Sequence, residues 1–224
     1  MRDKPAVAVV DYGLGNVFSV LRACEHVGLN AKLTSDRKDI AAAPAVILPG
    51  VGAFGDAMAT LQRLDLVSVL RDAAAANKPL MGICLGLQLL MTESAEFGHH
   101  QGLNLIEGDV VRLPDAMKEN GQRLKVPEVC WNQVRAARPW KGTPLQDLAE
   151  GAYQYFVHSY YVRPTDANVV LSKTTYGQTE FCSSVEKGTL FACQFHPERS
   201  GPAGLTIYSN FKTRVDSLIP TEGL

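Results

Sequence analysis

A cysteine between two glycines, at the end of an apolar run, is the feature of this chain most suggestive of chemistry. Pro79-Leu80-Met81-Gly82-Ile83-Cys84-Leu85-Gly86-Leu87-Gln88 reads as a strand that turns through Gly-x-Cys-x-Gly into a helix. That is the cysteine form of a nucleophile elbow, in which a sharp turn exposes one side chain at the carboxyl end of a sheet. The flanking glycines relieve crowding at the turn. The helix start behind the sulfur brings the positive end of the helix dipole to it. It also leaves the Leu85 N–H available to an oxyanion. Taken alone, the segment also fits a buried structural cysteine between packing glycines.

A thiolate needs a base. Gln194-Phe195-His196-Pro197-Glu198 follows the last strand signal. In an extended chain, positions two apart share a side, so Glu198 can take one imidazole nitrogen and leave the other for the thiol. An isolated His-x-Glu is more commonly a surface pair, but this one stands at a strand end, as Cys84 does. Pro49-Gly50-Val51-Gly52-Ala53-Phe54 also follows a strand, and its glycines let backbone N–H groups approach a ligand or an oxyanion. It lacks the Lys-Ser/Thr ending of a phosphate loop, and Gly13-Leu14-Gly15 fails as a dinucleotide fingerprint because position 18 is Phe. His99-His100 has no third ligand in view, so no metal is expected.

The elements that must position these residues alternate in the first half. Ala6 to Val10, Ala31 to Thr34, Ala45 to Leu48 and Pro79 to Ile83 read as strands. Between them, Asn16 is placed to cap a helix through Val20, Leu21, Cys24 and Val27, which Gly28 stops. Helical spacing runs from Ala57 to Ala76 with a break near Asp65, and Leu85 to Met91 follows the elbow. Strands apolar on both faces and separated by helices imply a parallel sheet covered on both sides. The second half offers β-leaning runs at Val110 to Leu113, Tyr153 to Val157, Val169 to Lys173, Thr179 to Val185 and Thr189 to Phe195, with no helices between them, so antiparallel strands are expected there. Glu186-Lys187-Gly188 reads as a hairpin turn, and Ala203 to Leu218 as a closing helix. Residues 115 to 151 give no clear element.

Composition sets outer bounds. A 224-residue chain with 46% hydrophobic and 20% charged residues can bury a sizeable core. Basic and acidic residues number 22 and 23, which argues against a nucleic-acid or anionic-membrane binder. No apolar run approaches the roughly 20 residues of a membrane span, and Met1 to Pro5 precedes only a short apolar run. The five cysteines are scattered without a Cys-x-x-Cys pair, so a reducing, cytoplasmic setting is expected.

The Cys84 elbow, the strand-end His196-Pro197-Glu198 and the 49–54 loop together resemble the class I (triad) glutamine amidotransferases. Asp11-Tyr12-Gly13-Leu14-Gly15-Asn16, the Pro-Gly-Val-Gly-Ala-Phe loop, Phe156-Val157-His158-Ser159-Tyr160 and His196-Pro197-Glu198-Arg199-Ser200-Gly201 narrow the resemblance to the glutaminase subunits of imidazole glycerol phosphate synthase in histidine biosynthesis. It covers nearly the whole chain. It implies one amidotransferase domain over 1–224, an α/β fold with a mostly parallel central sheet, flanking helices and added antiparallel strands in the C-terminal half. It implies hydrolysis of L-glutamine by Cys84, His196 and Glu198, with Gly50, Val51, Gly52 and Leu85 serving the oxyanion. Gly52, Gln88, Ser159 and Tyr160 match positions that hold the amino-acid end of glutamine. No cofactor or metal is implied. Asn16, Trp131 and Arg199 match positions near a separate synthase subunit of (β/α)8-barrel type. That subunit completes a heterodimer and uses the ammonia to make imidazole glycerol phosphate and AICAR.

One segment departs from the pattern. The family usually shows Pro-His-Met-Gly-Trp-Asn where this chain has Pro127-Glu128-Val129-Cys130-Trp131-Asn132. The change leaves room for a second reading, a paralogue supplying ammonia to a different acceptor such as a surface-polysaccharide sugar amidotransferase. Cys130 reads as packing or interface, His158 as positional, and Tyr153, Tyr155, Tyr160 and Tyr161 as strand packing with one or two at a partner face.

Overall fold

The computed structural model describes residues 6–115, 117–119 and 121–218, so Met1 to Pro5 lies outside it. Four strands of the first half, Val7–Val10 (β1), Ala31–Thr34 (β2), Val46–Gly50 (β3) and Leu80–Cys84 (β4), pair in parallel in the order β2-β1-β3-β4. The second half supplies Gly108–Arg112 (β5), Glu128–Ala136 (β6), Ala152–His158 (β7), Tyr160–Pro164 (β8), Val170–Tyr176 (β9), Thr179–Lys187 (β10) and Leu190–Cys193 (β11). β11 joins β4 in parallel and carries the sheet into antiparallel β10, β8 and β5. A branch leaves β10 through β9 to β6 and β7, all antiparallel. The sheet is therefore parallel where β4 and β11 lie side by side, and both chemistry-bearing turns leave the same edge.

Successive strand residues point to opposite faces, and the core divides accordingly. Ala8, Val10, Val46 and Leu48 pack with Ile40, Leu61 and Leu70 on one face. Val7, Val9, Ile47, Met81 and Ile83 pack with Cys24, Tyr208 and Phe211 on the other. The helices behind these contacts are Val17–His26 (α1), Arg37–Ala42 (α2), Phe54–Arg63 (α3), Leu66–Ala75 (α4), Leu85–Leu89 (α5) and Gly201–Leu218 (α6). Burying a side chain such as Phe211 contributes roughly 1.5–3 kcal/mol.

Several expectations are refined. The 57–76 helix is two helices, split at Asp65, whose φ of 55° is left-handed. Asn16 stands at the start of α1 but its side chain makes no capping bond, so the helix is held by packing instead. The short α2 escapes the periodicity reading, although Asp36 caps it by accepting from Lys38 N–H at 2.6 Å. The nine-residue β6 lies in the stretch that offered no clear element, because four of its nine residues are polar. Glu186 lies within β10 and not in the turn, where it accepts from Arg138 at 3.0 Å and from Arg214 at 2.5 Å, tying the sheet to α6.

Candidate active site

Cys84 is the last residue of β4 and the residue before α5, with φ 54° and ψ −108°. A non-glycine residue held there is strained, and its neighbours must be small. A Cβ on Gly82 would meet the Ala192 Cβ at 2.9 Å, and one on Gly86 would collide with the Leu48 carbonyl. The two glycines of Gly-x-Cys-x-Gly thus let β4 turn sharply into α5 against β3 and β11. The sulfur accepts from Gln194 Nε2 at 3.6 Å and lies 3.9 Å from the Val157 carbonyl.

His196 follows β11, the neighbour of β4. Its Nδ1 lies 2.7 Å from Glu198 Oε1, with the two side chains 4% and 1% exposed. The pairing does not arise from extended chain as the spacing suggested. Pro197–Arg199 forms a single 3₁₀ turn that folds Glu198 back onto the ring. Ser200 locks this turn: its hydroxyl donates to the His196 carbonyl at 2.7 Å and accepts from Tyr155 N–H at 3.0 Å. Nε2 of His196 has no well-aligned hydrogen bond. Burial opposes a charge on the ring, but the Cys84 sulfur and then the Glu198 carboxylate raise its pKa from 6.5 to about 10. Such a site can hold a thiolate–imidazolium pair, deliver a proton to a leaving group and take one from water.

A cavity of about 260 Å³ opens over the sulfur. Val51, Gly52, Cys84, Leu85, Gln88, Ser159 and Tyr160 all line it, so residues from three separate segments converge there. Gly50 also reaches the site, in register with Cys84 across β3 and β4. Gly52 has a φ of 102°, which explains the glycine there. Gln88 donates through Nε2 to the Tyr160 carbonyl at 3.0 Å and to Gln194 Oε1 at 3.1 Å. Larger clefts beside Phe18 and Arg22, and beside Arg123 and Tyr176, are lined by no cysteine.

Sequence reasoning missed two contributors. Glu96 lines the cavity and accepts from Phe54 N–H at 2.6 Å; burial raises its pKa, and that hydrogen bond partly offsets the rise. It is a carboxylate facing the space where an ammonium group could sit. Nothing in its local sequence marks it. Gln194 was visible beside His196, but its bond to the sulfur appears only when β11 is placed next to β4.

The remaining positions form an outer row. Arg199 is exposed and lays its guanidinium over the Tyr155 ring, 4.6 Å from the centroid. Trp131 meets the same ring edge-on at 6.1 Å, and Tyr155 in turn lies 6.4 Å from His196. Trp131, Val129 and Tyr153 remain about half exposed, and Val51 is 39% exposed. α1, which begins after Asn16, packs against the Pro197–Arg199 turn. Cys130 points away from this row toward Glu128, 3.5 Å from Oε1.

Residues 8–215 match the family model described as glutamine amidotransferase class-I. The chain is 49% identical over 206 residues to the imidazole glycerol phosphate synthase subunit HisH of Syntrophotalea carbinolica, covering 92% of this chain and 98% of that one. It is 46% identical to the same-named subunit of Aquifex aeolicus, over 94% and 97% of the two chains. Among solved structures, PurLQS from Thermotoga maritima superposes with a TM-score of 0.70 at 20% identity, covering 94% of this chain and 99% of that one. A structure described as a glutamine amidotransferase does so with a TM-score of 0.70 at 19% identity, over 95% and 99%. At that identity the structural likeness speaks to the fold alone.

Proposed function

The chain belongs to the class I glutamine amidotransferases, and from that premise we propose that it is the glutaminase subunit of an imidazole glycerol phosphate synthase. It releases ammonia from L-glutamine for a separate synthase subunit in histidine biosynthesis. The reading of a paralogue serving surface-polysaccharide synthesis is not favoured, since relatives at 43–49% identity carry the synthase name despite the altered 128–130 segment.

The observation that carries the chemistry is the strained Cys84, which lines the cavity and lies close enough to the His196–Glu198 pair to raise the pKa of the imidazole. Cys84 attacks the carboxamide carbon, and backbone N–H groups of Gly50 to Gly52 and of Leu85 take the charge on oxygen. His196 protonates the departing ammonia and then activates the water that frees glutamate from the thioester. Glu198 orients His196 and stabilises its charged form. Gly52, Gln88, Ser159 and Tyr160 hold the amino-acid end of glutamine, and Glu96 receives its ammonium.

The row formed by Val129, Trp131, Tyr155 and Arg199, with Asn16 beside it, supports a docking face for the synthase subunit. We read that subunit as a (β/α)8 barrel and the complex as a cytoplasmic heterodimer. An amidotransferase that ran uncoupled would waste glutamine, so the isolated chain should be nearly silent. The test is glutamate release by the purified chain alone, with its synthase subunit, and with subunit plus acceptor ligand. A stepwise rise of about 10²–10³-fold is expected if one oxyanion donor is withheld until docking. Full turnover by the chain alone would overturn the coupling and favour a free-standing hydrolase.

A further inference from the structure

The antiparallel register of β6 and β7 sets Glu128 directly opposite His158. Both side chains are sealed from solvent, 0% and 2% exposed, and Glu128 Oε2 lies 3.1 Å from His158 Nε2. The two atoms lie within ion-pair distance but are not aligned for a hydrogen bond. His158 Nδ1 lies 2.8 Å from the Tyr160 carbonyl, which can only accept, so Nδ1 carries a hydrogen. Nε2 therefore faces the carboxylate across the β6–β7 register. The other carboxylate oxygen accepts from Asn132 Nδ2 at 2.8 Å.

The carbonyl that His158 grips is the one to which Gln88 donates. Gln88 is also bonded to Gln194, which donates to Cys84 Sγ. A continuous polar chain therefore runs from Asn132 on β6 through Glu128, His158 and the Tyr160 carbonyl to Gln88 and the nucleophile. A buried ion pair is a weak source of stability, because well-packed apolar residues often replace one at no loss. Its effect here is better sought in what it fixes.

We propose that Glu128 and His158 are a positioning pair that fixes the Tyr160 carbonyl and, through it, the orientation of the Gln88 amide, and so sets the affinity of the cavity for the amino-acid end of glutamine. This rests on the glutaminase reading above. His158 lines the cavity but neither residue belongs to the Cys84, His196 and Glu198 set, so the pair governs binding and leaves the chemical step alone.

The test is steady-state glutaminase kinetics of Glu128→Gln in the complex with the synthase subunit and acceptor ligand. It is paired with the rate at which iodoacetamide, which lacks an amino-acid end, alkylates Cys84. The expected result is a KM for glutamine raised about tenfold, with kcat and the alkylation rate within about twofold of wild type. His158→Asn should do the same, and Glu128→Gln/His158→Asn should be no worse than either alone. Additive single effects, or a KM unchanged while the melting temperature falls, would overturn the proposal and leave a purely structural pair. If Glu128→Gln does not fold, Asn132→Ala decides, with a smaller KM rise expected and an unchanged KM counting against the pair. A wild-type complex that releases no glutamate overturns the glutaminase reading itself.

Discussion

The Tyr12 hydroxyl donates to the Pro49 carbonyl at 2.8 Å, tying the turn after β1 to the loop that closes over Cys84. The same hydroxyl occupies the space that a Cβ on Gly50 would need, with the Leu85 Cβ 3.0 Å away on the other side. The loop thus has one anchored peptide at Pro49 and glycines at 50 and 52, where a peptide could rotate.

Gly50→Ala should fold but lose most glutamine-dependent activity, because the methyl must displace Tyr12 and with it the Pro49 anchor. Tyr12→Phe alone should cost about 1–3 kcal/mol, since it strands a buried carbonyl. The double variant Tyr12→Phe/Gly50→Ala should recover part of the activity that Gly50→Ala loses. Denaturant titration and glutamate release measure the two effects, and an active Gly50→Ala variant would remove the loop from the mechanism.

A diazo-ketone glutamine analogue should label Cys84 alone. Burial pushes the thiols of Cys24 and Cys182 up to about 12 and that of Cys193 well above its ordinary value, so none of the three offers a thiolate near neutral pH. Peptide mapping by mass spectrometry checks this. Cys84→Ala should take no label and abolish glutamine-dependent synthesis, while synthesis from added ammonia survives in the complex.

His196→Ala should lower the rate by at least about 10²–10⁴-fold, with Glu198→Gln milder because the imidazole remains. The pH dependence follows from the raised His196 pKa. Between 6.5 and about 10 the folded chain holds a proton that the unfolded chain has released. The contribution of His196 to stability is therefore complete below 6.5 and fades as pH rises toward 10. The stability gap between wild type and His196→Gln should shrink over that window. Cys84→Ala removes the main influence opposing burial, so NMR titration should find His196 at a lower pKa in that variant.

Glu96→Gln keeps an oxygen for Phe54 N–H but loses the charge facing the cavity. The KM for glutamine should rise by about tenfold or more, as for a lost charged hydrogen bond, with kcat little changed. Equal KM values for wild type and variant would show that the substrate ammonium binds elsewhere.

Much of the fold could be read from the chain because its signals are local. Short apolar runs bounded by turn residues mark β1, β3 and β4, and the glycines around Cys84 mark a turn that tolerates no side chain. The long polar-patterned β6 could not be read that way, since its alternation of Glu128, Cys130 and Asn132 with Val129 and Trp131 has meaning only once β7 lies beside it. Asn16 shows the opposite failure: a good capping residue in sequence whose side chain does no capping in the fold.

The sequence by itself determined which residues could act, because a nucleophile elbow, a His-x-Glu turn and a glycine loop are each built within a few residues. Only the tertiary structure decided who meets whom. Glu96 reaches Phe54 across 42 positions and Gln194 reaches Cys84 across 110. Glu128 faces His158 because of strand register, not spacing along the chain. Strand order and register place such groups, and burial then gives a lone carboxylate or imidazole its partner and its charge. Neither can be read from neighbours along the chain.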